Sequence, residues 1–162
     1  MNFTDILEGF GGHSMAVGVA VKKDKFEILK KEFEKVTDKA NIKNTVPVIN
    51  IDMVLNIDEV TKDMVESLSL LEPFGEANKM PIFAFKNLKI DSIRSLTEGK
   101  HLKLTLKSNN NTYIDAIGFN LGYLSEEYKI GDRVDIVGNL EINTFNGVDS
   151  IQINLKDIMK TI

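Results

Sequence analysis

His101-Leu102-Lys103-Leu104-Thr105-Leu106-Lys107 alternates three leucines with four polar or charged residues at a strict period of two. That pattern is a β-strand, with Leu102, Leu104 and Leu106 on a core face and His101, Lys103, Thr105 and Lys107 on an outer face. Similar strand signals surround it. Residues 82–94, 112–119, 133–142 and 149–158 read as strands, divided by the turn signals Glu98-Gly99, Asn109-Asn110-Asn111 and Asn146-Gly147. Between the third and fourth strands, Leu121, Leu124 and Tyr128 have helical spacing within 120–128. On the strand 112–119, Ile114 and Ala116 compete with Ile117 and Phe119 for the core face, and parity alone does not settle which pair points inward.

Three strands, a short helix and two further strands make the connectivity of an OB-fold. This is a small, partly open barrel that commonly binds oligonucleotides across its second and third strands and the adjoining loops. Upstream of residue 81 the pattern differs. Phe3, Ile6, Leu7 and Phe10 suggest a short helix over 3–10, which Gly11-Gly12 stops as a turn. The run 15–21 alternates large and small residues and is expected to be a buried strand. Asp24, with Glu27 three residues on, resembles a capping box for a helix to Ala40 bearing a Phe26, Leu29, Phe33, Val36 stripe. Residues 41–45 read as a linker, 48–55 as a strand, and Asp58 as the cap of a second helix ended by Pro73 and Gly75. The expected class is therefore α+β. Its divisions are 1–45, a connecting strand and helix over 46–81, and a five-stranded barrel over 82–162.

Composition removes whole classes of chemistry. The 162 residues are 43% apolar and 27% charged, as in a folded protein, and contain no cysteine, which excludes disulfides, thiolate metal sites and a cysteine nucleophile. With two histidines only, no paired-imidazole metal motif can be drawn. The longest apolar run, 15–21, is far short of a membrane span, and the first ten residues carry Asp5 and Glu8 without a basic cluster. The expectation is a cytoplasmic protein with no membrane partner. The net charge of −4 hides an uneven distribution: residues 82–107 hold six Lys or Arg against two acids. A polyanion would land there.

Two further stretches carry a family resemblance. Phe10-Gly11-Gly12-His13-Ser14-Met15-Ala16-Val17-Gly18 resembles the Gly-Gly-His turn and following strand near the end of the DHH-associated domain of DHH-family phosphoesterases. Leu71-Glu72-Pro73-Phe74-Gly75-Glu76-Ala77-Asn78-Lys79-Met80-Pro81 is similar to the segment that leads into the OB-fold of RecJ-like single-stranded-DNA-specific exonucleases. The resemblance implies the end of a DHH-associated domain (a partial α/β unit over 1–45) followed by the OB-fold. Its implied partners are single-stranded DNA, an upstream DHH catalytic domain and a single-stranded-DNA-binding protein. The family's Mn2+ or Mg2+ would belong to that upstream domain, because no Asp-His-His sequence occurs here. No cofactor and no nuclease activity are expected of this chain, whose start is expected to lie within a longer protein.

Nucleic-acid candidates follow from both sources. Resemblance assigns Gly11, Gly12 and His13 to a substrate-facing turn. On the barrel, Lys86, Lys89, His101, Lys103 and Lys107 are candidates for phosphates, with Tyr113 and Phe145 as stacking platforms, because a single strand offers spaced charges and exposed base faces. The competing reading is that outward lysines are solvated residues protecting sheet edges, and that Phe145 folds back on the barrel. Glu126-Glu127 and the Asp24, Glu27 pair read as solubility and capping devices, and no catalytic or metal-ligating residue is assigned. The alternative function is a protein-interaction module, in which the barrel docks on the parent nuclease core or on a single-stranded-DNA-binding protein. The apolar strand and helical stripe within 1–45 further predict a homodimer through that segment.

Overall fold

In the computed structural model the described residues are 6–13, 15–39 and 47–161. They fall into two units that divide between Val48 and Ile49.

The first unit opens with an antiparallel hairpin of β1 (Leu7–His13) and β2 (Ala16–Val21). The helix expected over 3–10 is thus a strand from Leu7 onward, and its first residues lie outside the described ones. Gly9, Gly11 and Gly12 each weaken a helix by about 1 kcal/mol relative to alanine, whereas β2 offers a complete backbone partner. Gly11, Gly12 and His13 are therefore not a turn: they pair with Gly18, Val17 and Ala16. A Cβ on Gly12 would collide with the Ala16 carbonyl oxygen and the Val17 Cα, so only bare backbone fits there. β2 is not buried either, with Val17 63% exposed. A 3-10 turn at Lys23–Lys25 leads into α1 (Phe26–Lys39). Lys22 occupies the cap position without a side-chain hydrogen bond, so the expected capping box does not form. Asp24 and Glu27 instead sit in first turns, where their charge suits the positive end of the helix. Leu29 is buried, while Phe26, Phe33 and Val36 retain large exposed surfaces. The end expected at Ala40 and the linker 41–45 lie outside the described residues.

The second unit is a six-stranded sheet closed into a barrel, in the order β3 (Met53–Leu55), β4 (Phe83–Leu96), β5 (His101–Lys107), β6 (Tyr113–Gly118), β8 (Val148–Lys160), β7 (Arg133–Phe145). Pairing of β4 with β7 closes it, so β4 to β8 form the five-stranded mixed barrel that the strand order predicted. β4 serves both neighbours by bending at two register shifts, between Phe85 and Leu88 and between Ile90 and Ser92. Asn87 takes φ 55° at the first of them and donates its N–H to Asp135 Oδ1 at 2.8 Å. β7 and β8 meet at Asn146 and Gly147, both at positive φ, as a two-residue hairpin turn requires. The short helix expected over 120–128 is a 3-10 segment, Gly122–Glu126, that places Leu124 and Tyr128 against the core.

Leu102, Leu104 and Leu106 are fully buried, and the register Leu104↔Ala116, Leu106↔Ile114 selects Ile114 and Ala116 as the inward pair on β6. Ile117 and Phe119 face outward. The segment read as a connection contributes directly to this unit. Its strand is only the three residues of β3, parallel to β4, and Ile57 and Val65 join the core. Asn56 and Thr61, not Asp58, cap the 3-10 turn Ile57–Glu59 and α2 (Lys62–Ser67), accepting from the Asp58 and Met64 N–H groups. After the 3-10 turn Leu68–Leu71, the Asn78 amide donates to the carbonyls of Leu71 at 2.7 Å and Pro73 at 3.1 Å, pinning the Pro-Phe-Gly stretch. The buried Asn139 amide donates to Pro81 O at 2.7 Å, fixing the entry to β4. Among the described residues, no buried side-chain polar atom lacks a partner.

Asp58 is free of capping duty because it serves the β5–β6 turn, accepting from Ser108 Oγ at 2.6 Å and Asn110 Nδ2 at 2.7 Å. Those hydrogen bonds, Ser108's first, hold its carboxyl below the ordinary value of 3.8. Asp132, Asp135 and Asp149 are lowered likewise by their own donors. A carboxylate depressed on folding contributes stability above its unfolded pKa and loses it as pH falls through the folded one. The melting temperature followed by circular dichroism is therefore expected to hold steady from pH 7 to 5 and to fall below about pH 4. Asp58→Asn is expected to be less stable at pH 7 and to lose less on acidification. An equal acid response in the variant would show that Asp58 does not contribute.

Candidate nucleic-acid interface

The period of two that buries three leucines of β5 also decides what faces water. His101, Lys103, Thr105 and Lys107 line the outer side of β5. Tyr113, Asp115 and Ile117 line that of β6, in the register Lys107↔Tyr113, Thr105↔Asp115, Lys103↔Ile117. Phe119 follows on the same parity. The structure thus brings together five of the sequence-predicted residues: His101, Lys103, Lys107, Tyr113 and, in register with Lys107 on β4, Lys89.

Their electrostatics are not those of a row of free cations. Lys103 Nζ lies 2.7 Å from Asp115 Oδ2, and Thr105 Oγ1 donates to Asp115 Oδ1 at 2.8 Å. Lys107 Nζ sits 5.0 Å from the centre of the Tyr113 ring, and the neighbouring Tyr113 hydroxyl raises the lysine pKa above its usual value. At the opposite end, His101 Nδ1 accepts the Asn120 N–H at 3.0 Å, and its ring meets Phe119 edge-on with centres 5.3 Å apart. Arg94, exposed on β4, stands in register with Lys103. Beyond β6, Glu141 accepts from Gln152 at 2.9 Å and Asn154 at 3.4 Å, so that flank carries a carboxylate held by amides.

Lys89 is exposed, with Arg133 of β7 on its other side. The remaining candidates lie elsewhere. Lys86 is across the first bulge of β4, beside Asp135, in a polar groove of about 580 Å3 that also includes Asp58, Asn109 and Asn110. Phe145 is at the β7–β8 tip, 70% exposed, with Val148 opposite it at 68%. The next pair back from that tip is tied by Thr144 Oγ1 to Asp149 at 2.6 Å and by an ion pair of 2.8 Å from Lys62 on α2 to the same carboxylate. Gly11, Gly12 and His13 belong to the other unit. Among the described residues, no group of three or more His, Asp or Glu is placed to hold a metal ion, and no helix is long and apolar enough to cross a membrane.

Sequence reasoning passed over Arg94, Asp115 and Phe119 as parts of this face. Asp115 and Phe119 share the parity of Tyr113, and that was their signal. It became usable only once the β5–β6 register had settled which side of β6 is buried. One consequence is measurable directly: with Nδ1 occupied as an acceptor, His101 should carry its proton on Nε2 at pH 7.5. Long-range 15N–1H correlation spectra would reveal the tautomer, and a proton on Nδ1 would rule the Asn120 hydrogen bond out.

The barrel and its connecting segment match the family described as the RecJ OB domain, over residues 51–157. A single-stranded-DNA-specific exonuclease RecJ of Bacillus subtilis is 32% identical over 94% of this chain and 20% of its own length. Its counterpart from Salmonella typhimurium is 28% identical over 96% of this chain and 27% of its own. A crystal structure of RecJ in complex with Mn2+ from Thermus thermophilus covers 99% of this chain and 23% of that one, with 25% identity and a TM-score of 0.67. The chain thus spans about a fifth to a quarter of the relatives it matches.

Proposed function

The chain belongs to the RecJ OB domain family, and on that premise we propose that it is the single-stranded-DNA-binding portion of a longer RecJ-like 5′ to 3′ exonuclease. The observation that carries the reading is the outer face of β5 and β6. There Lys107 lies over the exposed Tyr113 ring with Lys89 in register beside it, and Lys103 and Arg94 continue the outer face four residues along, on the strands an OB-fold ordinarily uses for oligonucleotides. Spaced cations meet the phosphate charges, and an aromatic face accepts a base of any identity. Hydrolysis belongs, on this reading, to the part of the longer relatives outside the matched span, where the resembling family keeps its Asp-His-His sequence and its Mn2+ or Mg2+. The barrel holds the strand on its way to that site.

Asp115 makes the binding weak. By occupying Lys103 it removes one cation from the face and adds a like charge to any approaching phosphate. With about three or four phosphates contacted, log K for labelled single-stranded DNA should fall against log salt with a slope of roughly −2 to −3. Lys107→Glu is expected to abolish most binding and Asp115→Asn to tighten it several-fold. Binding that ignores salt and both substitutions would reject this face.

A separate reading, self-association, is favoured by the first unit, where Val17, Phe26 and Val36 of β2 and α1 are exposed. We propose that this apolar surface pairs two copies through residues 1–45, each large side chain covered contributing roughly 1.5 to 3 kcal/mol. Light scattering after gel filtration should give a dimer for the whole chain and a monomer for a chain beginning at Val46. A monomer at every concentration of the whole chain would reject the pairing.

A further inference from the structure

We propose that the barrel carries a second stacking platform, Phe119 braced by His101, which works with Tyr113 as a two-point register for a single strand. The proposal rests on the single-stranded-DNA reading. Its starting point is a likeness between the first residue of β6 and the turn residue that follows its end. Tyr113 is 52% exposed on the outer side of β6, and Phe119, just after Gly118, is 54% exposed. Each is met by a residue of β5: Lys107 lies over the Tyr113 ring, and the His101 ring touches Phe119 edge-on while the Asn120 N–H holds the imidazole in place. A ring that is exposed on one face and held by a neighbour loses little freedom when a base stacks on it, which is what a platform requires.

The space between them sets the register. The outward positions between the two rings are Asp115 and Ile117. Asp115 is closed off by Lys103 and Thr105, and Ile117 offers no ring, so no base is platformed there. The extended chain from Tyr113 to Gly118 and the turn residue after it put the two aromatic residues no more than about 20 Å apart along the backbone. At roughly 3.4 Å per nucleotide, a stacked strand covers that distance with about six nucleotides. A strand drawn out between two platforms needs fewer. A dinucleotide reaches one platform only, in either case. The chain should therefore distinguish short from longer strands by length, without reading their sequence, while Arg94 and Lys107 meet the phosphates.

The chain contains no tryptophan, so Phe119→Trp introduces a single reporter at the platform itself. Fluorescence and anisotropy would be measured with dT8 and dT2, on this variant, on Phe119→Leu, which keeps an apolar side chain at an exposed position, and on Tyr113→Ala. The expected result is that dT8 quenches the Phe119→Trp fluorescence with the same midpoint as its anisotropy. Phe119→Leu and Tyr113→Ala should each weaken dT8 about ten-fold and dT2 no more than about twofold. If dT8 binds but leaves that fluorescence unchanged, or if Phe119→Leu binds it as the wild type does, the second platform is overturned while the single-stranded-DNA reading stands. If the wild-type chain binds neither dT8 nor a longer strand, both fall together.

Discussion

The pairing of β4 with two partners at once is the constraint on which the second unit depends. Its first half runs beside β7 and its second half beside β5, and a straight strand cannot do both. The two register shifts, with Asn87 in the left-handed region and anchored by Asp135, turn the strand through the bend. Everything downstream is set by that closure. Once the sheet meets itself, each strand has one inner and one outer side, and the leucines of β5 assign them. β3 then fills the edge of β4 that β5 has not yet reached, which is why three residues suffice for it.

What the sequence made legible was whatever is settled by alternation within one strand. The inward leucines of β5, the order of strands and the Asn146-Gly147 turn are local properties, and all of them stand in the structure. What escaped was decided by partners distant in sequence. Gly11-Gly12 reads as a turn until β2 is set beside it. Asp58 reads as a cap until Ser108 and Asn110, some fifty residues away, claim its carboxylate. The side of β6 that faces outward is undetermined until Leu104 pairs with Ala116.

The candidate site divides along the same line. Lys103 and Lys107 were visible as outward cations, yet a sequence scan weighs them equally. The structure does not: one is held by a carboxylate on the next strand and the other lies over an aromatic ring. Net charge within 82–107 therefore overstates the field that a strand of nucleic acid would meet, because Asp115 falls outside that window while its side chain lies inside that face.

The tip of the β7–β8 hairpin adds an effect of a different kind. Lys62 reaches from α2 to Asp149 across a solvent-exposed gap, and such a tie loosens as ions screen it. Phe145, the residue next to Thr144 at that tip, thus sits beside a tie whose strength varies with the medium. Ionic strength then acts on this protein in two places, on the surface where charges meet a ligand and on the mechanical freedom of a ring that carries no charge at all.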